Sequence, residues 1–275
     1  MKSVTVFIGS ARKKGGTYAA ARQFLDNLQS FGDVQGEIVF LSERNIGVCR
    51  GCKSCFVRGE EHCPFKDDRD MLLEKIMTSD GVVFASPNYS FQVSAIMKTF
   101  LDRLGFLFHR PRFHGKTFTG IVVQGIYGGS KVVKYLEFVG GGLGFNVVKG
   151  SCITALEPMV EKDRRKRDQA LASQSKRFHE RLLKTAFPAP SILQLMVFRS
   201  GRTSMKLMLG DDNRDHTYYR DKGWFDSDYY YPTKLGPLKK VVGATFDWMA
   251  ARMSKKRAIN SPSTGRRPAP RPPLQ

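Results

Sequence analysis

Residues 4–17 read VTVFIGSARKKGGT. The first five of these residues form an apolar run that predicts a buried strand. A helix is predicted to follow from Thr17, as its N-cap, to Ser30, because apolar side chains recur there at a spacing of four. A loop that leads from a buried strand into a helix N-terminus offers backbone N–H groups and the positive end of the helix dipole to an anion. Ser10, Arg12 and two glycines make this loop suitable for a phosphate group.

The same strand-then-helix pattern repeats along the first two thirds of the chain. Further strands are predicted at 37–41, 81–85, 117–123 and 146–152, and further helices at 70–79, 94–108, 132–139 and 161–185. Five strands that alternate with helices, without a hairpin signal, predict an α/β fold with a parallel sheet and helices on both faces. In such sheets ligands bind beyond the carboxyl ends of the strands, at the point where the strand order reverses.

Two more loops are predicted at that edge of the sheet. The third strand runs into Ser-Pro-Asn-Tyr-Ser-Phe at 86–91, and the fourth into Gln-Gly-Ile-Tyr-Gly-Gly at 124–129. The proline restricts the backbone, the amides can face ring heteroatoms, and Tyr89 or Phe91 can pack beside a ring. Either aromatic residue can equally be ordinary core packing, but three loops that converge on one crevice favour a ligand site.

Three motifs together resemble the NADPH-dependent FMN reductase family: the loop at 9–17, Ser-Pro-Asn-Tyr at 86–89, and Met-Lys-Thr-Phe-Leu-Asp-Arg at 97–103. The resemblance covers about residues 1–180 and implies a flavodoxin-like sheet of order 2-1-3-4-5. It also implies FMN as cofactor, with the phosphate held by Ser10, Arg12, Gly16 and Thr17. The residues that it places at the flavin ring are Pro87, Asn88, Tyr89, Ser90, Phe91, Gln124, Gly125, Gly128 and Gly129.

The resemblance implies an oxidoreductase in which no side chain is catalytic, because the flavin carries the chemistry. Electrons would come from NAD(P)H and pass to a quinone, a nitro or azo compound, or free flavin. Family members commonly form homodimers or homotetramers, so the same is expected here. Lys98, Asp102 and Arg103 of the third motif are interpreted as structural, since a helix charge pair is the default for that spacing.

Four of the five cysteines lie close together in the sequence, as Cys49-x2-Cys52-x2-Cys55-x7-Cys63. Four thiolates can hold a [4Fe–4S] cluster, and this spacing resembles the iron–sulfur flavoprotein branch of the same superfamily. That interpretation gives the alternative function, electron exchange with a ferredoxin-type partner. Structural zinc and no metal at all are the two other interpretations. Cys152 ends a predicted strand and is interpreted as a buried apolar residue.

The remainder of the chain predicts an extension to the α/β domain. The predicted divisions are a flavodoxin-like domain at 1–187, a helical and aromatic extension at 188–258, and a disordered Pro- and Arg-rich tail at 259–275. Helices are expected at 191–209 and 236–253, with an aromatic stretch at 211–232 that covers the flavin, mediates assembly or packs on its own core.

The net charge of +20 is partly concentrated after residue 251, where seven Lys and Arg occur without an acidic residue. A basic surface favours anionic ligands, but no basic motif with interleaved aromatic residues indicates a specific nucleic-acid site. No apolar run is long enough to predict a membrane span. The N-terminus runs straight into a strand without a leader pattern, so a cytoplasmic protein is expected.

Overall fold

The computed structural model describes residues 1–260, so the predicted tail at 259–275 lies outside the described residues apart from its first two positions. The chain divides into two compact units. The first comprises Met1–Cys49 and Phe65–Ala186, and the second comprises Arg50–Pro64 and the described residues from Phe187 onward. The cysteine-rich segment from Arg50 therefore groups with the C-terminal residues, although the sequence places it within the domain at 1–187.

A parallel sheet forms the centre of the first unit, as the strand pattern predicts. Its main strands are β1 (Lys2–Ile8), β2 (Val34–Phe40), β3 (Gly81–Tyr89) and β5 (Thr117–Gln124), with the short strands β4 (Gln92–Val93), β6 (Asn146–Val147) and β7 (Ser151–Thr154). The order is β2-β1-β3-β5-β6, with β7 also on β5 and β4 on β3. The predicted order 2-1-3-4-5 is thus confirmed, and the sequence missed two details.

The first missed detail is a hairpin at the end of β3. Asn88 and Tyr89 pair antiparallel with Val93 and Gln92 of β4. The two residues of the turn, Ser90 and Phe91, have φ values of 49° and 62°. Two consecutive positive φ values are those of a type I′ turn, which Asn-Gly or Gly-Gly usually forms. The sequence gives no hairpin signal because neither position is glycine.

The second missed detail is a break in the last predicted strand. Gly150 lies between β6 and β7, and a Cβ added there would be 2.4 Å from the carbonyl oxygen of Gly120 on β5. Its N–H donates to Glu137 Oε1 at 2.8 Å rather than to the neighbouring strand. The predicted strand at 146–152 is therefore two short segments on either side of a close backbone contact.

Helices cover both faces of this sheet. On one face, α1 (Gly16–Gln29) and α6 (Glu161–Leu182) pack against each other and against alternate residues of β1. The remaining helices of the unit are α3 (Arg69–Thr78), α4 (Ala95–Arg103) and α5 (Gly129–Gly142). Phe7 of β1 points to the opposite face, where its ring centroid is 5.5 Å from that of Phe100 on α4. The two-sided burial explains why β1 is almost continuously apolar.

The second unit is helical and has its own aromatic core. It contains the one-turn helix α2 (Ser54–Val57), α7 (Ile192–Met208), α8 (Arg214–Asp221) and α9 (Pro237–Asn260), which confirms the helices predicted at 191–209 and 236–253. The buried residues of its core are Leu195, Phe198, Tyr219, Trp224, Tyr229 and Leu235. Much of the aromatic stretch at 211–232 thus packs on its own unit. Among residues 1–260, no helix combines the length and apolar character that a membrane crossing requires.

The contact at Gly150 gives a stability prediction. Gly150→Ala should lower the free energy of unfolding by about 1–3 kcal/mol, because the new methyl group meets backbone that cannot move aside. Urea unfolding followed by far-UV circular dichroism measures the change. Gly105→Ala is the matched control, since nothing lies within 4 Å of its added Cβ. Equal stability of the two variants would contradict this account of the strand break.

Candidate functional site

Three loops leave the sheet side by side at its carboxyl edge. β3 lies between β1 and β5, with Ile8 opposite Ala85 and Pro87 opposite Val123. The segments that follow these strands, at 9–17, 86–91 and 124–129, therefore start from adjacent positions. The strand order reverses between β1 and β3, so this edge is the place where a doubly wound sheet binds ligands.

The phosphate loop leads into α1, which begins at Gly16 with Gly15 as its N-cap. The prediction of Thr17 as N-cap is wrong: Thr17 lies inside the first turn and is 4% exposed. No side chain caps this helix. Because Gly15 has no side-chain oxygen to accept from them, the first N–H groups of α1 and the positive end of its dipole remain available to an anion.

The rest of the phosphate loop adds hydroxyl and cationic groups to this helix end. Ser10 is 5% exposed, and its Oγ accepts from the backbone N–H of Arg12 at 3.2 Å. The side chain of Arg12 is exposed. Lys13 forms an ion pair with Glu43, and this hydrogen bond lowers the pKa of the Glu43 carboxyl. Buried hydroxyls, open amides and an exposed guanidinium form the set of donors that a phosphate monoester needs.

A buried serine joins the phosphate loop to the loop after β3. Ser94 caps α4: its Oγ accepts from the N–H of Met97 at 3.1 Å and donates to the carbonyl of Gly9. Its own N–H donates to Ser86 Oγ at 3.0 Å. The contact is tight, since a Cβ at Gly9 would be 2.7 Å from Met97 Cβ. Three segments of the candidate site are thereby fixed relative to one another.

Asn88 connects the second loop to the third. Its Nδ2 donates to the carbonyl of Tyr127 at 3.0 Å. Its Oδ1 is buried and accepts no hydrogen bond from any described residue. A buried acceptor without a donor is costly, so this atom fits a ligand N–H such as that of a flavin imide.

Gln124 organises the third loop. Its Nε2 donates to the carbonyl of Ile126 at 3.2 Å and to Thr154 Oγ1 at 3.1 Å. Its Oε1 accepts from the N–H of Gly129, the first residue of α5, at 2.7 Å. The side chain of Gln124 thus holds the backbone of the third loop in place, and contact of Gln124 with a flavin stays a prediction. Gly128 has φ 91°, and a Cβ there would be 2.5 Å from the ring of Phe91.

Exposed aromatic side chains surround this edge. Tyr89 and Phe91 are both 55% exposed, and Tyr127 is 67% exposed. The rings of Phe91 and Tyr127 are 5.3 Å apart between centroids. The left-handed conformation of Phe91 therefore holds its ring outward against the third loop, where a planar ligand can stack on it.

The third motif of the resemblance has a structural role, as interpreted. Lys98 pairs with Asp102 one turn later on α4. Arg103 is buried and forms an ion pair with Asp67, whose carboxylate also accepts from the N–H of Gly47 at 2.8 Å. Burial alone would raise the pKa of the Asp67 carboxyl, but these hydrogen bonds outweigh it and lower the pKa. Gly47 lies before the cysteine-rich segment and Asp67 lies after it. The ion pair between Asp67 and Arg103 therefore links the sequence on both sides of that segment to α4.

The cysteines themselves are not gathered as metal ligands. Among the described residues, no three His, Cys, Asp or Glu side chains stand together in a way that would hold a metal ion. Cys49 and Cys52 are exposed, and a hydrogen bond from the backbone of Ser54 lowers the pKa of the Cys52 thiol. The four-thiolate site stays a prediction. Cys152 is half-buried against Gly129, and burial raises the pKa of its thiol.

Comparison with known proteins identifies the family. The family model for NADPH-dependent FMN reductase matches residues 2–156, more than half of the chain. The protein belongs to the NADPH-dependent FMN reductase family. It is therefore an FMN-dependent oxidoreductase with a flavodoxin-like fold.

Two curated relatives of this FMN reductase family member are named iron-sulfur flavoproteins. One, from Archaeoglobus fulgidus, is 36% identical over 160 residues, which cover 54% of this chain and 71% of the relative. Another, from Clostridioides difficile (strain 630), is 30% identical over 136 residues, covering 49% of this chain and 59% of the relative. The chain thus spans less than two thirds of the second relative.

A solved structure extends the likeness of fold to almost the whole chain. RosB, solved with bound 8-demethyl-8-formylriboflavin-5'-phosphate, matches 98% of this chain and 96% of its own, with a TM-score of 0.56 and 11% identity. At that identity the match shows the fold alone. It extends beyond residue 156, where the match to the FMN reductase family model ends.

Sequence reasoning identified the three loops of this FMN reductase family member and missed the residues that hold them together. Ser86, Ser94 and Thr154 hydrogen-bond to these loops from within the fold. The position of Ser94, immediately before a helical pattern, is a signal for an N-cap. Nothing in the sequence indicates that its hydroxyl reaches Gly9, because that contact depends on the pairing of β1 with β3.

Ser94→Ala tests whether the Ser94 hydroxyl is needed to hold the phosphate loop in place. Loss of the cap should lower the free energy of unfolding by about 0.5–2 kcal/mol, and the released phosphate loop should weaken FMN binding by about tenfold. Chemical denaturation and fluorescence titration with FMN measure the two effects. Ser191→Ala is the control, since Ser191 caps α7 in the second unit. If both variants bind FMN equally well, Ser94 only caps its helix.

Proposed function

We propose that this protein takes electrons from NAD(P)H and passes them to a quinone, a nitro or azo compound, or free flavin. The family assignment establishes an FMN-dependent oxidoreductase but does not identify its electron acceptor, which is what we add here. The observation that carries it is that Ser94 joins the loop before an uncapped helix N-terminus to the end of β3, while Asn88 joins that segment to the loop after β5. That arrangement provides a phosphate site and a site for a planar ring on one rigid support.

The phosphate end of FMN would bind at the start of α1. Ser10 and Thr17 supply hydroxyl groups, Gly16 allows close approach, and Arg12 supplies charge. The backbone at Gly16 is not crowded: a Cβ added there would meet its nearest neighbours at 3.4 Å and beyond, which is ordinary van der Waals contact. The neighbours of that Cβ would be Val123 and Ala155. Because Gly16 itself has no side chain, a phosphate could approach the helix N-terminus closely.

The ring end would lie against the loops after β3 and β5. Asn88 Oδ1 would accept from the ring imide, and the backbone of Pro87 and Ser90 would border the ring. The third loop is open at Gly125, where an added Cβ would have nothing within 4 Å. When bound, FMN supplies hydride acceptance and transfer of one or two electrons; the residues described here bind it, orient it and shield one side of it.

The exposed rings at this edge favour a planar acceptor. Tyr89, Phe91 and Tyr127 present exposed aromatic surface, and the rings of Phe91 and Tyr127 lie side by side. Quinones, nitroaromatic and azo compounds and flavins share a flat conjugated ring that can stack on such surface. The reductant and the acceptor would use this opening in turn, so ping-pong kinetics are expected.

The purified protein should bind FMN and oxidise NADPH or NADH when a quinone is supplied. Arg12→Ala should raise the Kd for FMN about 10–100-fold, because a charge-assisted hydrogen bond to phosphate is lost. The Kd for riboflavin, which has no phosphate, should change little. Fluorescence titration measures both constants, and Lys14→Ala is the control from the same loop. Bound FMN without any NAD(P)H oxidation would sink the reductase proposal.

A second candidate function is electron transfer through an iron–sulfur cluster to a ferredoxin-type partner. The observation in its favour is the match to curated proteins named iron-sulfur flavoproteins, at 36% identity over most of one relative. Four cysteines supply suitable donor chemistry. The described arrangement does not bring three of them together as ligands, so no electron path is derived through them.

Iron analysis with visible absorption of anaerobically purified protein separates the two candidates. If the cluster forms, about four iron atoms per chain and broad sulfide-to-iron absorption should accompany the flavin bands. Cys55→Ser should then lose the iron, and Cys152→Ser should keep it. A flavin spectrum without iron would exclude the second candidate and leave the first intact.

A further inference from the structure

A pocket lies at the amino edge of the first unit's sheet, opposite the edge from which the three loops leave. Its volume is about 250 Å³. The walls come from the start of β1, the residues just before β3 and β5, and the end of α6. The polar residues that line it are Lys2, Asp80, His114, Lys116, Lys184 and Thr185. The candidate functional site at the carboxyl edge uses none of these residues.

Among the described residues that line this amino-edge pocket, Asp80 supplies the one carboxylate, and that carboxylate is already engaged by β1. Its Oδ1 accepts from Lys2 Nζ at 2.9 Å, and its Oδ2 accepts from the backbone N–H of Ser3 at 2.9 Å. Burial alone would raise the pKa of the Asp80 carboxyl, but the hydrogen bonds from Ser3 and Lys2 outweigh it and lower the pKa. Asp80 is therefore ionised at neutral pH and compensates the charge of one lysine.

Lys116 lines the amino-edge pocket without an ion pair to any described residue. Its Nζ donates to the carbonyls of Met77 and Ser79, both at 2.7 Å, at the C-terminal end of α3. Burial lowers the pKa of the Lys116 ammonium; the carboxylate of Asp80 opposes this shift, and the charge of Lys2 adds to it. Lys2 and Lys116 therefore repel each other across the pocket. The two carbonyls use two of the three N–H donors of Lys116, which leaves one for a ligand.

Lys184 adds a third ammonium group, so the pocket wall carries more positive than negative charge. Lys184 follows α6, is exposed and forms no ion pair with a described residue. His114 adds no charge at neutral pH, because burial lowers the pKa of its imidazole to about 4. Three ammonium groups thus face one carboxylate, an excess of two positive charges. The negative end of the α6 dipole offsets about half a charge at most.

We propose that the amino-edge pocket binds a compact oxyanion with two negative charges, namely inorganic phosphate or a small phosphate monoester. Lysine suits phosphate because its ammonium is a compact charge with three donors that rotate toward the ligand oxygens. One dianion balances the excess charge of the wall. The volume limits the size of the ligand: pockets for drug-sized molecules measure about 300–1,000 Å³, so a nucleotide such as FMN or NADPH is too large.

A purely structural role accounts for only part of this pocket wall. Lys116 closes the C-terminal end of α3, and Lys2 pairs with Asp80. Neither contact involves Lys184, and neither explains why Lys2 and Lys116 line one pocket in which their charges repel. A bound dianion would remove that repulsion. It would also link the start of β1 to the segments before β5 and after α6, which are far apart in the sequence.

Isothermal titration calorimetry of the full FMN-loaded chain tests the proposal, with inorganic phosphate and glycerol 3-phosphate as the two probes. FMN is present in excess so that the phosphate loop at the other edge of the sheet is not open to the probes. We expect one site per chain with a Kd of about 1 mM or below for at least one probe. The probe that binds more tightly shows whether free phosphate or a monoester is the preferred ligand.

Variants of the two lysines without an ion pair locate the site. Lys116→Met should raise the Kd at least about tenfold, because a charge-assisted hydrogen bond is lost. Lys184→Ala should raise it about threefold or more, since its exposed ammonium is partly screened by water. Lys184 is exposed, so this variant should fold even if Lys116→Met does not, and circular dichroism checks both. Lys176→Ala, an exposed lysine of α6 outside the pocket, is the matched control and should bind as the wild type does.

Three outcomes would overturn the inference. One is the absence of binding heat for both probes up to about 10 mM. Another is an unchanged Kd in both Lys116→Met and Lys184→Ala, which would place any phosphate site elsewhere. The last is succinate binding as tightly as phosphate, which would make the pocket a general anion site. None of these outcomes bears on NAD(P)H oxidation, so the proposed function is tested separately.

Discussion

The hydroxyl of Ser94 is the contact on which the candidate site depends. It caps α4 and donates to the carbonyl of Gly9 in the phosphate loop, while the backbone N–H of Ser94 donates to Ser86 Oγ in β3. A buried hydroxyl that is satisfied as donor and acceptor fixes direction as well as distance. The phosphate end and the ring end of the site therefore share one support. Gly9 permits it, because any side chain there would meet Met97.

Much of the fold could be predicted because it follows from local patterns. Continuous apolar runs predicted buried strands, alternation with helices predicted a parallel sheet, and both were confirmed. The errors occurred where tertiary contacts override local signals. Thr17 has the chemistry of an N-cap, yet the N-cap of α1 is Gly15, two residues earlier. Ser90 and Phe91 adopt a primed turn without glycine, since the strands on either side pair and the ring of Phe91 packs against Gly128.

In the candidate site too, local features could be predicted from the sequence, whereas tertiary contacts could not. The polar groups that the loops present at the sheet edge, such as those of Ser10, Arg12 and Asn88, were predictable from loop composition and position, and their contact with a ligand stays a prediction. The residues that position those groups were not, because they come from distant parts of the chain. Gln124 was predicted as a ligand contact, but its amide is occupied by Ile126, Thr154 and Gly129. Arg103 was predicted to be structural, but its partner Asp67 lies 36 residues away and gave no signal.

The glycine N-cap of α1 has a consequence for the amount of this protein in the cell. A helix without a side-chain cap begins with unsatisfied N–H groups, so a phosphate bound at the proposed site would add stabilisation that the flavin-free chain lacks. Binding to the native state alone adds about 2.7 kcal/mol when the ligand is at 100 times its Kd. A change of that size shifts the unfolded fraction on which proteases act. The steady-state abundance of this enzyme would then follow the cell's riboflavin status, with no dedicated regulator involved.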